Sequence, residues 1–70
     1  MKYLIVIEET PGGFKAYSPD VLGCVATGRT REEVEREMRR EIEFHRQSVA
    51  LSGKTPPRPS RIASWVEVAA

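Results

Sequence analysis

Ser18-Pro19-Asp20-Val21-Leu22-Gly23-Cys24-Val25-Ala26-Thr27-Gly28 is the stretch on which the fold of this chain turns. Its first half is loop chemistry, with Pro19 and Gly23 as breakers. Its second half, from Cys24 to Thr27, reads as a short strand. It also carries the chain's only aspartate and only cysteine, four positions apart, which raises the question of catalysis.

Upstream, Phe14-Lys15-Ala16-Tyr17-Ser18 has strand composition and follows the turn signal Thr10-Pro11-Gly12-Gly13 at hairpin distance. Before that turn, Tyr3-Leu4-Ile5-Val6-Ile7 is a continuous apolar run, which Glu8-Glu9 is expected to end. These three segments form an antiparallel meander.

Downstream, Thr30-Arg31-Glu32-Glu33 matches a capping box. The Thr30 hydroxyl accepts from the Glu33 amide, and the Glu33 carboxylate reaches back to the Thr30 amide. From Arg31 the period becomes helical, and Val34, Met38, Ile42, His45 and Val49 make one stripe. Glu32–Arg36, Glu35–Arg39 and Glu43–Arg46 are candidate ion pairs on the outer face, each contributing about 0.2–0.5 kcal/mol. Networks of such pairs suit a thermostable protein. Gly53 is the natural stop. Thr55-Pro56-Pro57-Arg58-Pro59-Ser60 excludes helix and inner strand, and Ile62 to Val68 is β-prone again.

The order β-β-β-α-β predicts an α+β fold: a four-stranded sheet with one long helix on one face, residues 1–70 forming a single domain. A right-handed crossover sets the last strand parallel to the first and beside it, giving the order 3-2-1-4. A central first strand accounts for apolar residues on both of its faces. One helix covers only one face, so a second subunit is expected on the other. Phe44 and Leu51 lie on a flank of the helix. At about 22 residues and about 33 Å the helix overhangs the sheet, making these two the expected oligomer contacts.

A domain of 70 residues buries a modest core. One cysteine excludes an internal disulfide and a thiolate zinc site, and fits a reducing cytoplasm. Basic and acidic residues, 11 and 10, are interleaved for a net charge of +1, which argues against a basic nucleic-acid patch. No apolar run has the length of a membrane span, and the N-terminus turns acidic too early for a signal peptide.

For Cys24, the only histidine available as a base is His45, which sits on the core-facing stripe. A buried small apolar role is the simpler reading. Asp20 reads as a cap on the Pro19–Gly23 loop. Its alternative is a metal-dependent nuclease site shared with Glu8, for which the remaining acids, mostly on the outer helix face, offer no converging set. Gly12-Gly13 and Gly23 to Gly28 lack the residues of a phosphate loop, and Pro56-Pro57-Arg58-Pro59 reads as a stiff linker rather than a PxxP ligand. No catalytic residue, cofactor or metal ligand is expected.

The same residues resemble a known family. The strand Tyr3-Leu4-Ile5-Val6-Ile7-Glu8, the loop Pro19-Asp20 with Gly23-Cys24, then Gly28 and Thr30 before an acidic helix start, are similar to the HicB-like antitoxins. The likeness extends to His45 and to Gly53 followed by Pro57 and Pro59. Val21-Leu22 replaces the usual Leu-Pro. The resemblance implies a partial RNase H-like fold without the nuclease carboxylates. It also implies a prokaryotic toxin–antitoxin role, in which a homodimer or tetramer binds a small HicA-type mRNA-cleaving ribonuclease and occludes its active site. Glu8 and Asp20 are then candidate contacts to a basic toxin. Many members add a C-terminal DNA-binding part; here the chain reads as the stand-alone domain, with no direct DNA binding expected. The alternative within the same fold is a solitary oligomeric regulatory or scaffolding module without a toxin.

Overall fold

The computed structural model describes residues 1–69. Three strands, β1 (Val6–Thr10), β2 (Gly13–Tyr17) and β3 (Val25–Gly28), precede one helix, α1 (Arg31–Leu51). The sheet is antiparallel throughout, in the order β1-β2-β3. The class is therefore α+β, as the residue pattern predicts, but the expected four-stranded sheet of order 3-2-1-4 is not formed. β1 is an edge strand, and Ile62–Val68 forms no strand.

The reason lies in where the chain is caught after the helix. The Tyr3 hydroxyl donates to the Pro57 carbonyl, and the Ser60 and Arg61 donors close on Asp20. Asp20 follows β2 and bonds β1's upstream neighbour Leu4 from the β2 side. The linker is thereby fastened to the β2–β3 loop and to the segment ahead of β1, and Ile62–Val68 follows it without pairing to β1. Prolines at 56, 57 and 59 bring no N–H to a ladder in any case.

β1 is also displaced from the apolar run that predicts it, starting at Val6 and running through Glu8 and Glu9. Continued two residues back from Val6↔Tyr17, the register sets Pro19 opposite Leu4. Pro19 has no N–H to donate, so the regular ladder ends there. At the other end, Glu8 stands opposite Lys15 and the two side chains pair at 3.5 Å, which makes an acidic residue acceptable in an exposed strand.

Pro11-Gly12 turns β1 into β2, and Thr10↔Gly13 closes the hairpin. Gly13 is required by close approach: a Cβ there would lie 2.3 Å from the Gly28 carbonyl oxygen on β3. The helix starts as its sequence dictates. The Thr30 Oγ1 accepts from the Glu33 amide at 3.0 Å, while the Glu33 carboxylate accepts from the Arg29 amide rather than from Thr30. It ends in a Schellman motif, with Lys54 N–H on the Val49 carbonyl, Gly53 N–H on Ala50, and Gly53 at φ +81°. Along α1 the ion pairs within 4 Å are Arg31–Glu35 and Glu37–Arg40; among the described residues none of the three pairs expected from spacing closes.

Val34, Met38 and Ile42 of α1 pack with Ala16, Val21 and Cys24 to form the buried core, and Tyr3, Ile5, Ile7, Phe14 and Ala26 flank it. His45 and Val49, further along the same stripe, are half-buried where the helix runs beyond the sheet. On the opposite sheet face, the register aligns Val6, Tyr17 and Val25 in one row. Tyr17 and Val25 are exposed there, and no element among the described residues lies over them.

Gly13→Ala should lower stability by about 2 kcal/mol or more through the forced shift of β3, while Gly12→Ala, with open space at its Cβ, should change it by less than about 1 kcal/mol. Urea denaturation of the two variants measures the difference.

Candidate functional site: the Pro19–Gly23 loop

The signature loop connects β2 to β3 and is closed by two backbone bonds, Val21 N–H to the Ser18 carbonyl and Cys24 N–H to the Val21 carbonyl, both at 3.3 Å. Within it the chain alternates in direction. Val21 is 1% exposed and enters the core, Leu22 is 83% exposed and points out, and Gly23 takes φ +91° to bring Cys24 back inside.

Ser18 and Asp20 take up the two backbone groups of Leu4. The Ser18 hydroxyl donates to the Leu4 carbonyl at 2.8 Å, and the Leu4 N–H donates to Asp20 Oδ2 at 3.4 Å. The other carboxylate oxygen, Oδ1, accepts from the Ser60 N–H at 3.3 Å, the Ser60 hydroxyl at 3.2 Å and the Arg61 guanidinium at 3.2 Å. Arg61 also donates to the Pro19 carbonyl at 2.6 Å. The Asp20 side chain is fully covered, while Arg61 remains about half exposed.

Burial by itself pushes the Asp20 carboxyl up, but the donors of Ser60, Leu4 and Arg61 together outweigh it and hold the group below the ordinary aspartate value. Asp20 is thus an acceptor with its lone pairs in use. Glu8, its expected companion, pairs with Lys15 and is exposed, so the two carboxylates serve different partners. Among the described residues no group of three or more His, Cys, Asp or Glu is placed to hold a metal ion.

Cys24 is 4% exposed, and its thiol donates to the Glu41 backbone carbonyl at 3.7 Å. Burial pushes the thiol pKa up, and the negative charge of Glu41 adds to the effect. No hydrogen bond joins it to His45 among the described residues. The environment therefore disfavours the thiolate a nucleophile needs. Gly28 lies against the first turn of α1, a Cβ there reaching 3.0 Å from the Val34 nitrogen, and Thr30 caps the helix. The six signature residues Pro19, Asp20, Gly23, Cys24, Gly28 and Thr30 thus all contribute to joining the meander to α1 and to the C-terminal segment.

The role of Ser60 and Arg61 as partners of Asp20 is absent from the residue-pattern reading. The only sequence signal for it is a hydroxyl and a cation directly after a proline-stiffened linker. Phe44 and Leu51 are 70% and 89% exposed, in keeping with their flank position. No family model matches the chain, and no curated protein or solved structure matches it either. No helix among the described residues is long and apolar enough to cross a membrane.

Because the folded-state pKa of Asp20 is depressed, its contribution is complete above the ordinary aspartate range, declines below that range, and is lost as pH falls through the depressed folded-state value. The Ser60 amide should exchange slowly with solvent at pH 6 and lose its protection on acidification. Asp20→Asn should remove that pH dependence, as followed by NMR. At pH 8, Cys24 should react with an aromatic disulfide reagent at least about tenfold more slowly than in the urea-unfolded chain.

Proposed function

We propose that this chain is a non-enzymatic protein-binding module: an antitoxin-like protein of HicB type that binds and occludes a small HicA-type mRNA-cleaving toxin. The observation that carries the reading is the way the signature residues are used. Asp20 and Cys24, the residues with the greatest chemical potential, are enclosed and bonded within the architecture. The surface instead offers an open sheet edge at β1, the row Val6–Tyr17–Val25, and the exposed Leu22, Phe44 and Leu51. Apolar side chains and a free edge are means of protein contact.

In this reading the toxin is met by contact and steric occlusion, and the antitoxin acts as a homodimer or tetramer in a prokaryotic cytoplasm. Direct DNA binding and membrane association have no part in it. Of the two carboxylates proposed to face a basic toxin, Glu8 is the exposed one, and it supports a contribution to encounter with an RNA-binding surface. The covered Asp20 acts through the loop it organises.

Co-expression with the small ribonuclease encoded beside this gene tests the reading. The expected outcome is relief of growth arrest and a co-purifying complex, with Glu8→Lys slowing association about tenfold at low salt. No complex and continued arrest, or the absence of any toxin-like neighbour, would favour the solitary scaffolding role instead.

A further inference from the structure

The segment after Arg61 is unlike any other part of the surface. Ile62, Trp65, Val66 and Val68 are 93%, 99%, 83% and 88% exposed, in a run of strand-forming composition. The run follows a firm anchor, since Ser60 and Arg61 are held by Asp20 and the Pro19 carbonyl. So large an apolar exposure next to a fixed point describes an arm poised for a partner.

The same chain carries a receptor for such an arm. β1 has no neighbour on its outer side, and by the alternation of an antiparallel ladder every second residue there presents N–H and C=O groups outward. Just ahead of β1, between the N-terminal segment and α1, runs a groove of about 450 Å³ with Tyr3, Ile5, Met38 and Ile42 in its wall. It is open because α1 packs over β2 and β3 rather than over β1.

The charges agree. Lys2, Arg39 and Arg46 line the groove with Glu35 and Glu43, and Glu35 is already engaged by Arg31. Arg46 lies 5.9 Å from the centre of the Tyr3 ring, and its Nε is a buried donor without a partner among the described residues. The arm between Ile62 and Val68 carries one charge, Glu67, and period-two alternation puts it on the same face as Trp65 and Ala63.

We infer that Ile62–Val68 is an exchanged β-arm, adding to the free β1 edge of a second copy of this chain and laying Trp65 and Glu67 into the groove beside Arg46. The second copy is the occupant because one sequence holds both halves of the contact, while Ile62, Trp65, Val66 and Val68 stand exposed and unpaired with their own β1. The exchange is reciprocal, so a two-fold dimer closes with both β1 edges covered. Two arms, each with a tryptophan that covers about 150–250 Å², together with the surfaces they cover reach roughly the 1,200 Å² of a stable interface. Opposite β1, Ile62, Val66 and Val68 then extend the apolar row of Val6, Tyr17 and Val25.

Light scattering and tryptophan fluorescence of the chain alone, at about 20 μM, test this without any toxin, so that failure of the toxin reading leaves the result standing. The expected result is a dimer of twice the 7.9 kDa chain, with Trp65 emission shifted to the blue. Trp65→Lys/Glu67→Lys should give a monomer with the helical bands of its far-ultraviolet circular dichroism unchanged, and Glu67→Gln should weaken dimerisation several-fold. A monomer with solvent-exposed Trp65 would overturn the inference. So would a monomer with buried Trp65, which means pairing in cis, or a dimer that survives the double substitution, which means another face.

Discussion

Asp20 is the one carboxylate that ties three distant parts of this chain together. One oxygen holds the backbone of Leu4 ahead of β1, and the other holds Ser60 and Arg61 beyond the helix. The arrangement follows from Pro19. A strand that continued past Tyr17 would have bonded Leu4 through its own backbone, but proline has no N–H for the Leu4 carbonyl, which takes the Ser18 hydroxyl instead, while the Leu4 N–H turns to the Asp20 carboxylate. Once a carboxylate is buried there it needs donors, and the returning C-terminal segment supplies them.

That anchor also shapes what remains on the surface. The core between helix and sheet is small, with Met38, Val21 and Val34 as its largest fully buried side chains. A domain of this size has little apolar burial to spare. Here several of the largest apolar side chains, including Trp65, Phe44 and Leu51, lie outside it. Apolar side chains left in water are a means of association. The binding reading and the arm-exchange inference draw on that same imbalance, through different surfaces.

The loop also shows why rarity of residue type is a poor guide to chemistry. An aspartate and a cysteine four residues apart suggest a reactive pair, yet the backbone turns at Gly23 and sends them to separate environments. Cys24 faces the helix and donates a hydrogen bond to the Glu41 backbone carbonyl; Asp20 faces the chain ends and collects donors. Catalysis needs convergent groups with free lone pairs or an accessible thiolate, and each residue here has a prior commitment.

Local chemistry was enough to determine the elements whose reasons are local. The Thr30 cap, the stripe of Val34, Met38 and Ile42, the Gly53 stop and the Pro11-Gly12 turn depend on residues within a few positions of each other, and the sequence displays them directly. The Cys24 burial was legible too, from a single thiol in a strand-like run without a free base. Tertiary structure alone decided where β1 begins, because that depends on Pro19 standing opposite Leu4. It also decided that Glu33 reaches Arg29, and that Ile62–Val68 stays off the sheet. The β propensity of that last segment predicts a strand, but propensity carries no information about where the chain is delivered. Hydrogen bonds spanning some forty residues, from Asp20 to Ser60 and Arg61, make that delivery, and such contacts exist only once the chain has folded.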